Sequence, residues 1–371
     1  MNVTLIVLSA GSSTRFDYPV KKQWIRIKNK PLWLFTADRL NDFFNFSETI
    51  ITANEKEVGL YKKLSDYTIV KGAQTRQQSL KNALKKVNSE YVMITDVARA
   101  CVPKEIVLNL IQHKAVCTVP YLKPVDTVVY ENTTINRDEV KLIQTPQLSK
   151  TETLKKALET TTEYTDERAA IEALGENITY ILGSEESKKI TYFKDLNLPC
   201  LKKPSTSILN GIGYDTHKFQ SNKPMVLGGV KIDSTFGFKA HSDGDVLIHA
   251  IIDALLGAAG FGDIGEFFPD TDARFKNANS VDLLLQIKEM LTKTGFEIVN
   301  VDATIIAQKP KLKDYKTKIQ RHLSNLLNTQ VNIKATTNEK MGFVGREEGV
   351  AVLASANLTY KDWYEDYNSR K

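Results

Sequence analysis

The chain has 371 residues, 42% hydrophobic and 25% charged, which predicts two folded domains of ordinary soluble composition and argues against a disordered or fibrous chain. Its net charge of +6 sits in residues 1–207, with 30 basic and 24 acidic side chains, while residues 208–371 carry 20 of each. An excess of that size suits a small polyanion such as a nucleoside triphosphate; without a continuous basic stripe or stacking aromatics it argues against a nucleic-acid binder.

No apolar run reaches the roughly 18 residues of a membrane span. The opening MNVTLIVLSAGSSTR reads as a first β-strand entering a glycine loop, with no basic region of a signal peptide, so a cytoplasmic protein is expected. Cys101, Cys117 and Cys200 are odd in number and lack a C-x-x-C, which fits a reducing compartment with no disulfide scaffold and no cysteine zinc site.

In chain order, VTLIVLSA (3–10), ETIITA (48–53), YTIVKG (67–72), YVMITD (91–96) and AVCTVPY (115–121) read as strands, and PLWLFTADRL, SLKNALKKV and PKEIVLNLIQH read as helices between them. Alternation with nearly continuous apolar strands predicts an α/β fold, a mainly parallel twisted sheet covered on both faces. LSAGSSTRFDYPVKKQW (8–24) follows the first strand with small residues, then an arginine and two lysines. That is a phosphate cradle in form, though neither a P-loop nor a dinucleotide fingerprint, and it reads equally as a plain β-to-helix connection. Asp96 ends its strand where open α/β sheets bind ligands, and reads either as a Mg²⁺ ligand or as a helix cap.

The Pro/Lys/Ser-rich stretch NLPCLKKPSTSILN (197–210) reads as a linker, giving domains 1–207 and 208–371. Beyond it, HAIIDALLGAAG (249–260), VDLLLQIKEMLTKTG (281–295) and YKTKIQRHLSNLLN (315–328) read as helices. FEIVNVDATIIAQ (296–308), VNIKATT (331–337) and GVAVLASANLTY (349–360) read as strands. In GIGYDTHKF, read as a short strand behind a flexible glycine, Asp215 and His217 are two apart and share a face. AHSDGDVLIHA adds His241, Asp243, Asp245 and His249, so three of the five histidines crowd into 217–249. An Asp-His₂ set is the pattern of a catalytic zinc with one open position; spacing leaves His241 and His249 both eligible as its third member. GDIGEFFPDTDARF places Asp263 among glycines, and KATTNEKMGFVGR gathers hydroxyls, a glutamate and an arginine suited to phosphate and Mg²⁺.

Those stretches carry a resemblance. GYDTHKF, LGGVKI, AHSDGDVLIHAIIDALLGAAGFGDIGEFFPDTD, VDATIIAQKPKL and KATTNEKMGFVGREEG resemble 2-C-methyl-D-erythritol 2,4-cyclodiphosphate synthase over about residues 210–371. The resemblance implies an α+β domain that trimerises, with active sites between subunits. It implies Asp215, His217 and His249 as Zn²⁺ ligands, with His241, Asp263 and Gly265 lining the substrate and Pro310 and Lys311 at the cytosine pocket. Thr336 and Thr337 would hold the diphosphate, Glu339 a Mg²⁺, and Phe343 and Arg346 further substrate contacts.

LSAGSSTRF…KKQW, GAQTRQQSLKNAL, TDVAR, PVDTVV, INRDEVKLIQTPQ, TDERAAIEALG and KKITYFKDL resemble 2-C-methyl-D-erythritol 4-phosphate cytidylyltransferase over about residues 1–205. This implies a Rossmann-like nucleotidyltransferase domain with Arg15, Lys22 and Lys189 on the triphosphate. Ser9, Ala10, Gly11, Gly72 and Ser79 would hold the cytidine, Asp96 a Mg²⁺, and Thr127, Arg137 and Thr145 the methylerythritol phosphate. Ser13, Lys21 and Ala100 depart from the family pattern, standing where glycine, proline and proline are usual.

The two resemblances together imply a bifunctional enzyme of the non-mevalonate isoprenoid (MEP) route. It would transfer CMP from CTP to methylerythritol phosphate, and cyclise the diphosphocytidyl 2-phosphate with release of CMP. The alternatives are a generic sugar-nucleotide transferase fused to a zinc hydrolase, and a non-catalytic nucleotide sensor. A trimer, or a hexamer of paired trimers, is the expected assembly. A separate kinase acts between the two steps, which raises an association with it.

Overall fold

The computed structural model describes residues 1–240, 242–269, 271–275 and 278–370. They form two compact units, residues Met1–Pro204 with the segment from Asp362 onward, and Ser205–Lys361. The expected boundary at 207/208 thus lies three residues late, and the expected second domain loses its C-terminal segment to the first unit. A seven-residue amphipathic piece has too few turns to hold itself, so it folds where its apolar face finds a partner.

The first unit runs β1 (Val3–Leu8), α1 (Leu32–Phe43), β2 (Glu48–Ala53), α2 (Val58–Leu64), β3 (Thr68–Lys71), α3 (Arg76–Leu84), β4 (Tyr91–Asp96), α4 (Lys104–His113), β5 (Cys117–Leu122), β6 (Leu142–Ile143), β7 (Gln147–Lys150), α5 (Thr151–Ala157), α6 (Glu167–Glu172) and β8 (Ile178–Leu182). Its sheet has the order β6-β5-β7-β4-β1-β2-β3, with β8 along β5. β4, β1, β2 and β3 are parallel, and β1 and β4 are buried at every position, as their unbroken apolar runs require. β7 enters antiparallel between β4 and β5, a strand the alternating pattern does not announce. The hairpin Val128–Tyr130/Thr133–Ile135 exposes Val129 and Tyr130, as the chain before it exposes Val125.

Cys101 and Cys200 form a disulfide, with Cα atoms 5.6 Å apart, which corrects the expectation of none; Cys117 stays a buried thiol. A separation of 99 residues leaves no local signal for the pairing. Closing so long a loop restricts the unfolded chain and typically contributes about 2–4 kcal/mol. Unfolded without reductant, the chain should titrate one thiol, that of Cys117, and three after reduction. Three before reduction would show the crosslink absent. Cys200→Ser should lower the stability of the first unit by about 2–4 kcal/mol in denaturant melts.

The second unit runs β9 (Leu209–Ser221), β10 (Phe236–Phe238), α7 (Val246–Ala259), α8 (Ile264–Phe267), α9 (Ser280–Lys293), β11 (Phe296–Ile306), α10 (Lys316–Leu327), β12 (Gln330–Thr336), α11 (Gly342–Gly345) and β13 (Gly349–Tyr360). Its sheet order is β10-β9-β13-β11-β12, antiparallel except for β11 with β12. β9 is long, not short, and its glycines serve close approach, not flexibility. A Cβ on Gly211 would lie 2.1 Å from Ala254 O, and one on Gly213 2.0 Å from Ala250 O. Helix α7 therefore lies with its backbone directly on β9. The opposite face of the sheet exposes Ile212, Tyr214 and Leu353.

Two candidate active sites

The first site forms where chain leaves the carboxyl ends of the parallel strands, the place open α/β sheets bind ligands. Ser9–Phe16 after β1, Ala73–Arg76 and Ser79 around the start of α3, Asp96 at the end of β4, and Lys22 and Lys189 enclose a cavity of about 520 Å³. Of the expected residues, Ser9, Ala10, Gly11, Arg15, Lys22, Ser79, Asp96 and Lys189 line it. Gly72 sits behind, where a Cβ would come within 2.3 Å of Ala10 Cβ.

Lys189 Nζ donates to Asp96 Oδ2 at 2.6 Å and Arg76 Nε to Oδ1 at 3.0 Å. Burial pushes the Asp96 carboxyl up, but these two cations outweigh it and hold it well below the usual carboxylate range. Asp96 is therefore ionised, and each oxygen keeps a second lone pair. Lys22 Nζ donates to Ile190 O at 2.9 Å. Burial, then the charges of Lys189 and Arg15, push its ammonium down to about 8 against the offsetting pull of Asp96.

Arg76 was not among the expected residues. It opens α3 behind the Thr75 cap and also grips the buried Glu167 through Nη1 at 2.6 Å. Its signal was the arginine at a helix start in GAQTRQQSL; its partner, 91 residues away, left none. Ser13 has φ 60°, the left-handed region that glycine favours, and its hydroxyl donates to Gln23 Oε1 at 2.7 Å. Lys21 has φ −62°, within proline's own range, so each residue takes the backbone conformation that glycine or proline would favour there.

Thr145 is buried behind Asp96, whose N–H donates to its Oγ1 at 3.3 Å. Thr127 and Arg137 are exposed beside the hairpin, outside the cavity lining, and Arg137 donates to Val125 O at 2.6 Å.

In the second site, odd-numbered positions of β9 face α7, and His249 is the fourth residue of that helix. Asp215 Oδ2 lies 3.2 Å from His217 Nδ1 and 3.2 Å from His249 Nδ1, and one donor atom from each residue falls within 4.8 Å of the others. His217 Nδ1 is buried yet makes no hydrogen bond. A buried imidazole nitrogen without a hydrogen bond, beside a carboxylate and a second imidazole, fits the donor set of a divalent metal. Among the described residues this is the cluster of that kind; Asp96 and Glu339 are not part of one.

Asp243 and Asp245 are structural. Asp245 is fully buried, accepts from Gly228, Gly229 and Ile248 N–H, and caps α7. Asp243 accepts from Ser280 N–H at 3.0 Å. Ser280 Oγ in turn lies 3.0 Å from His249 Nε2, the nitrogen turned away from Asp215.

The cluster opens into a cavity of about 650 Å³ that Gly265 also lines, together with Asp253, Lys218 and Lys239, which sequence reading missed. Asp263 caps α8 instead, accepting from Glu266 N–H at 3.2 Å. His241 lies outside the described residues. Pro310 and Lys311 line a separate groove with Phe236 and Glu347. Thr336, Thr337, Glu339, Phe343 and Arg346 lie outside the cavity of their own chain. There Thr337 Oγ1 donates to Glu339 Oε1 at 2.6 Å and Arg346 Nε to Glu348 at 2.7 Å.

A cation-lined cavity at strand ends and a separate metal-type cluster define a two-site enzyme acting on phosphate esters. Residues 3–200 match the family model of 2-C-methyl-D-erythritol 4-phosphate cytidylyltransferase, and residues 208–359 that of the YgbB family. The chain is 55% identical to the bifunctional enzyme IspD/IspF of Aliarcobacter butzleri, over 98% of this chain and 99% of that one. It is 51% identical to its namesake from Nitratiruptor, with the same coverage. The structure of the bifunctional IspDF from Campylobacter jejuni covers 98% of this chain and all of its own, at 47% identity and a TM-score of 0.86. The chain belongs to the bifunctional IspD/IspF family. It is a multifunctional enzyme of the MEP route to isoprenoids, a cytidylyltransferase joined to a cyclodiphosphate synthase. Full-length matches of this kind disfavour both the transferase–hydrolase and the sensor readings. No described helix is long and apolar enough to cross a membrane.

Proposed function

We propose that the cavity of the first unit binds CTP and that the phosphate of 2-C-methyl-D-erythritol 4-phosphate attacks its α-phosphorus, expelling pyrophosphate. The observation that carries this is the convergence of Arg15, Lys22 and Lys189 on one cavity with an ionised Asp96. These cations spread charge relief over the phosphorus as it becomes five-coordinate. Mg²⁺ commonly takes one or two carboxylates plus substrate phosphates, which suits the single carboxylates Asp96 and Glu339. Thr127 and Arg137, outside the cavity of their own chain beside an exposed apolar hairpin, would complete the cavity of a second copy.

In the second unit the 2-phosphate of the diphosphocytidyl substrate attacks the β-phosphorus and CMP leaves. A divalent ion on Asp215, His217 and His249, for which zinc suits the donors, would supply Lewis-acid neutralisation of a phosphoryl oxygen. Lys218 and Lys239 bind the phosphates, and Gly265 leaves room for the nucleoside. Thr336, Thr337, Glu339, Phe343 and Arg346, with the groove at Pro310 and Lys311, reach a neighbouring subunit's cavity. The exposed Ile212, Tyr214 and Leu353 supply an apolar sheet face for such a trimer. Pairing of first units would extend it to a hexamer in the cytoplasm, and sedimentation with the intervening kinase tests that association.

The test is full-length protein given CTP and methylerythritol phosphate, then separately the kinase product, following pyrophosphate and CMP. No consumption of CTP would overturn the first assignment, and no CMP release the second. A pH profile adds a sharper check. Lys22 is charged below about 8 and neutral above it. kcat/KM for CTP should therefore fall as pH rises through that value, roughly tenfold per unit beyond it. Lys22→Arg, which stays protonated, should remove the fall. A flat wild-type profile from pH 7 to 9.5 would detach Lys22 from the triphosphate.

A further inference from the structure

The chain ends in α12 (Trp363–Ser369), which belongs to the first unit and lies beyond both family matches, at 3–200 and 208–359. Two segments carry the three cations of the first site: the loop with Arg15 and Lys22, and the stretch from Lys189 to Phe193. The loop turns through left-handed residues at Ser13 and Asp17, φ 60° and 47°, a conformation unfavourable for a non-glycine residue that persists only where surroundings hold it.

Beside the Ser13–Gln23 hydrogen bond, α12 and the residue after it contact both segments. Tyr18 stacks on Phe193 with centroids 4.4 Å apart, joining the two segments, and buried Phe16, next to Arg15, meets both rings edge-on. The Arg370 guanidinium lies over Phe193 at 4.7 Å and over Tyr18 at 5.9 Å. Tyr18 Oη donates to Asp366 Oδ2 at 2.5 Å, and the Tyr367 ring lies 6.2 Å from Phe193. Burial and Asp366 push the Tyr18 hydroxyl up, so it stays a donor across the working pH range. Trp363 is buried, and its Nε1 donates to Arg26 O at 2.6 Å, fixing the start of the helix just beyond the loop.

We infer that α12 is a clamp for the cytidylyltransferase site: Asp366 and Arg370, through Tyr18 and Phe193, are positioning residues that keep Arg15, Lys22 and Lys189 spaced for the triphosphate. The inference rests on the first cavity being the CTP site. Neither residue lines the cavity, so their effect is on the geometry of the cations, where a displacement near 1 Å costs up to about 10²-fold.

The test uses the full chain with Tyr18→Phe, Asp366→Asn, Arg370→Ala and the Tyr18→Phe/Asp366→Asn double variant. Each preparation is assayed for pyrophosphate release, for CMP release and for thermal midpoint. Arg370→Ala should raise KM for CTP about tenfold with a smaller change in kcat, and Arg370→Lys should recover part of the loss. Tyr18→Phe and Asp366→Asn should each raise it about threefold, with the double variant no worse than either. CMP release should stay within twofold throughout. Wild-type KM in Arg370→Ala, a lowered midpoint with unchanged KM in the folded variants, or additive effects in the double variant would overturn the clamp. Should Arg370→Ala fail to fold, the Tyr18→Phe and Asp366→Asn cycle decides alone. A wild-type chain that does not consume CTP would instead fail the cavity assignment.

Discussion

Replacing His217 with alanine should abolish CMP release and leave pyrophosphate release at the wild-type rate. His217 contributes one of three donor atoms that lie within 4.8 Å of one another, its Nδ1 facing Asp215 Oδ2 at 3.2 Å. Alanine leaves Asp215 and His249 as a two-point site, too few to retain an ion through purification. Lewis-acid neutralisation contributes several kcal/mol, and about 4 kcal/mol corresponds to roughly 10³-fold in rate. Metal content by mass spectrometry should fall in step with CMP release. Full CMP release from metal-stripped wild type would defeat the assignment, and so would a His217→Ala protein that keeps both its metal and its rate. Loss of both activities together would show that the two sites are not independent.

The parts of this enzyme legible from sequence are those in which local periodicity and chemistry coincide. Asp215 and His217 share a face because strand residues alternate, and His249 reaches them because Asp245 starts a helix just before it. The aspartates of AHSDGDV read as further ligand candidates; only the structure makes Asp245 the cap of α7 and sets Asp243 on Ser280. The parallel half of the first sheet was likewise visible in its unbroken apolar strands. Antiparallel β7, the Arg76–Glu167 grip and the Cys101–Cys200 bond were not, because each joins residues far apart in sequence whose pairing leaves no mark on either segment. The boundary drawn at 207/208 puts DWYEDYNSR in the second domain, because nothing in that stretch shows that Phe193 and Tyr18 of the first unit receive it. Ser13 runs the other way: the residue reads as a departure, and its φ of 60° is one that a glycine would adopt without strain.

The second large effect is expected from a single methyl group. Gly213→Ala would place a Cβ 2.0 Å from Ala250 O and 2.7 Å from Ala254 N, both backbone atoms of α7 that cannot rotate aside. Ordinary contact begins near 3.4 Å, so helix and strand must separate by about 1.4 Å. His249 rides on that helix and Asp215 on that strand, 3.2 Å apart at their nearest donors, so the separation falls directly on the candidate metal cluster. Overpacking of this kind costs typically 1–3 kcal/mol, and a rigid obstacle argues for the upper end. A shift of that size also costs about 10²-fold in a reaction that depends on placement. The expected result is a second unit destabilised by about 3 kcal/mol, with weakened metal retention and CMP release down about 10²-fold. Gly257 supplies the control. It lies within α7, and a Cβ there meets nothing nearer than 3.9 Å, so Gly257→Ala should stabilise the unit by about 0.5–1 kcal/mol through helix propensity alone. Denaturant melts of the two variants should move in opposite directions. If Gly213→Ala melts with wild type and keeps its metal, α7 does not rest on β9 through that glycine, and the account of how His249 reaches Asp215 falls with it.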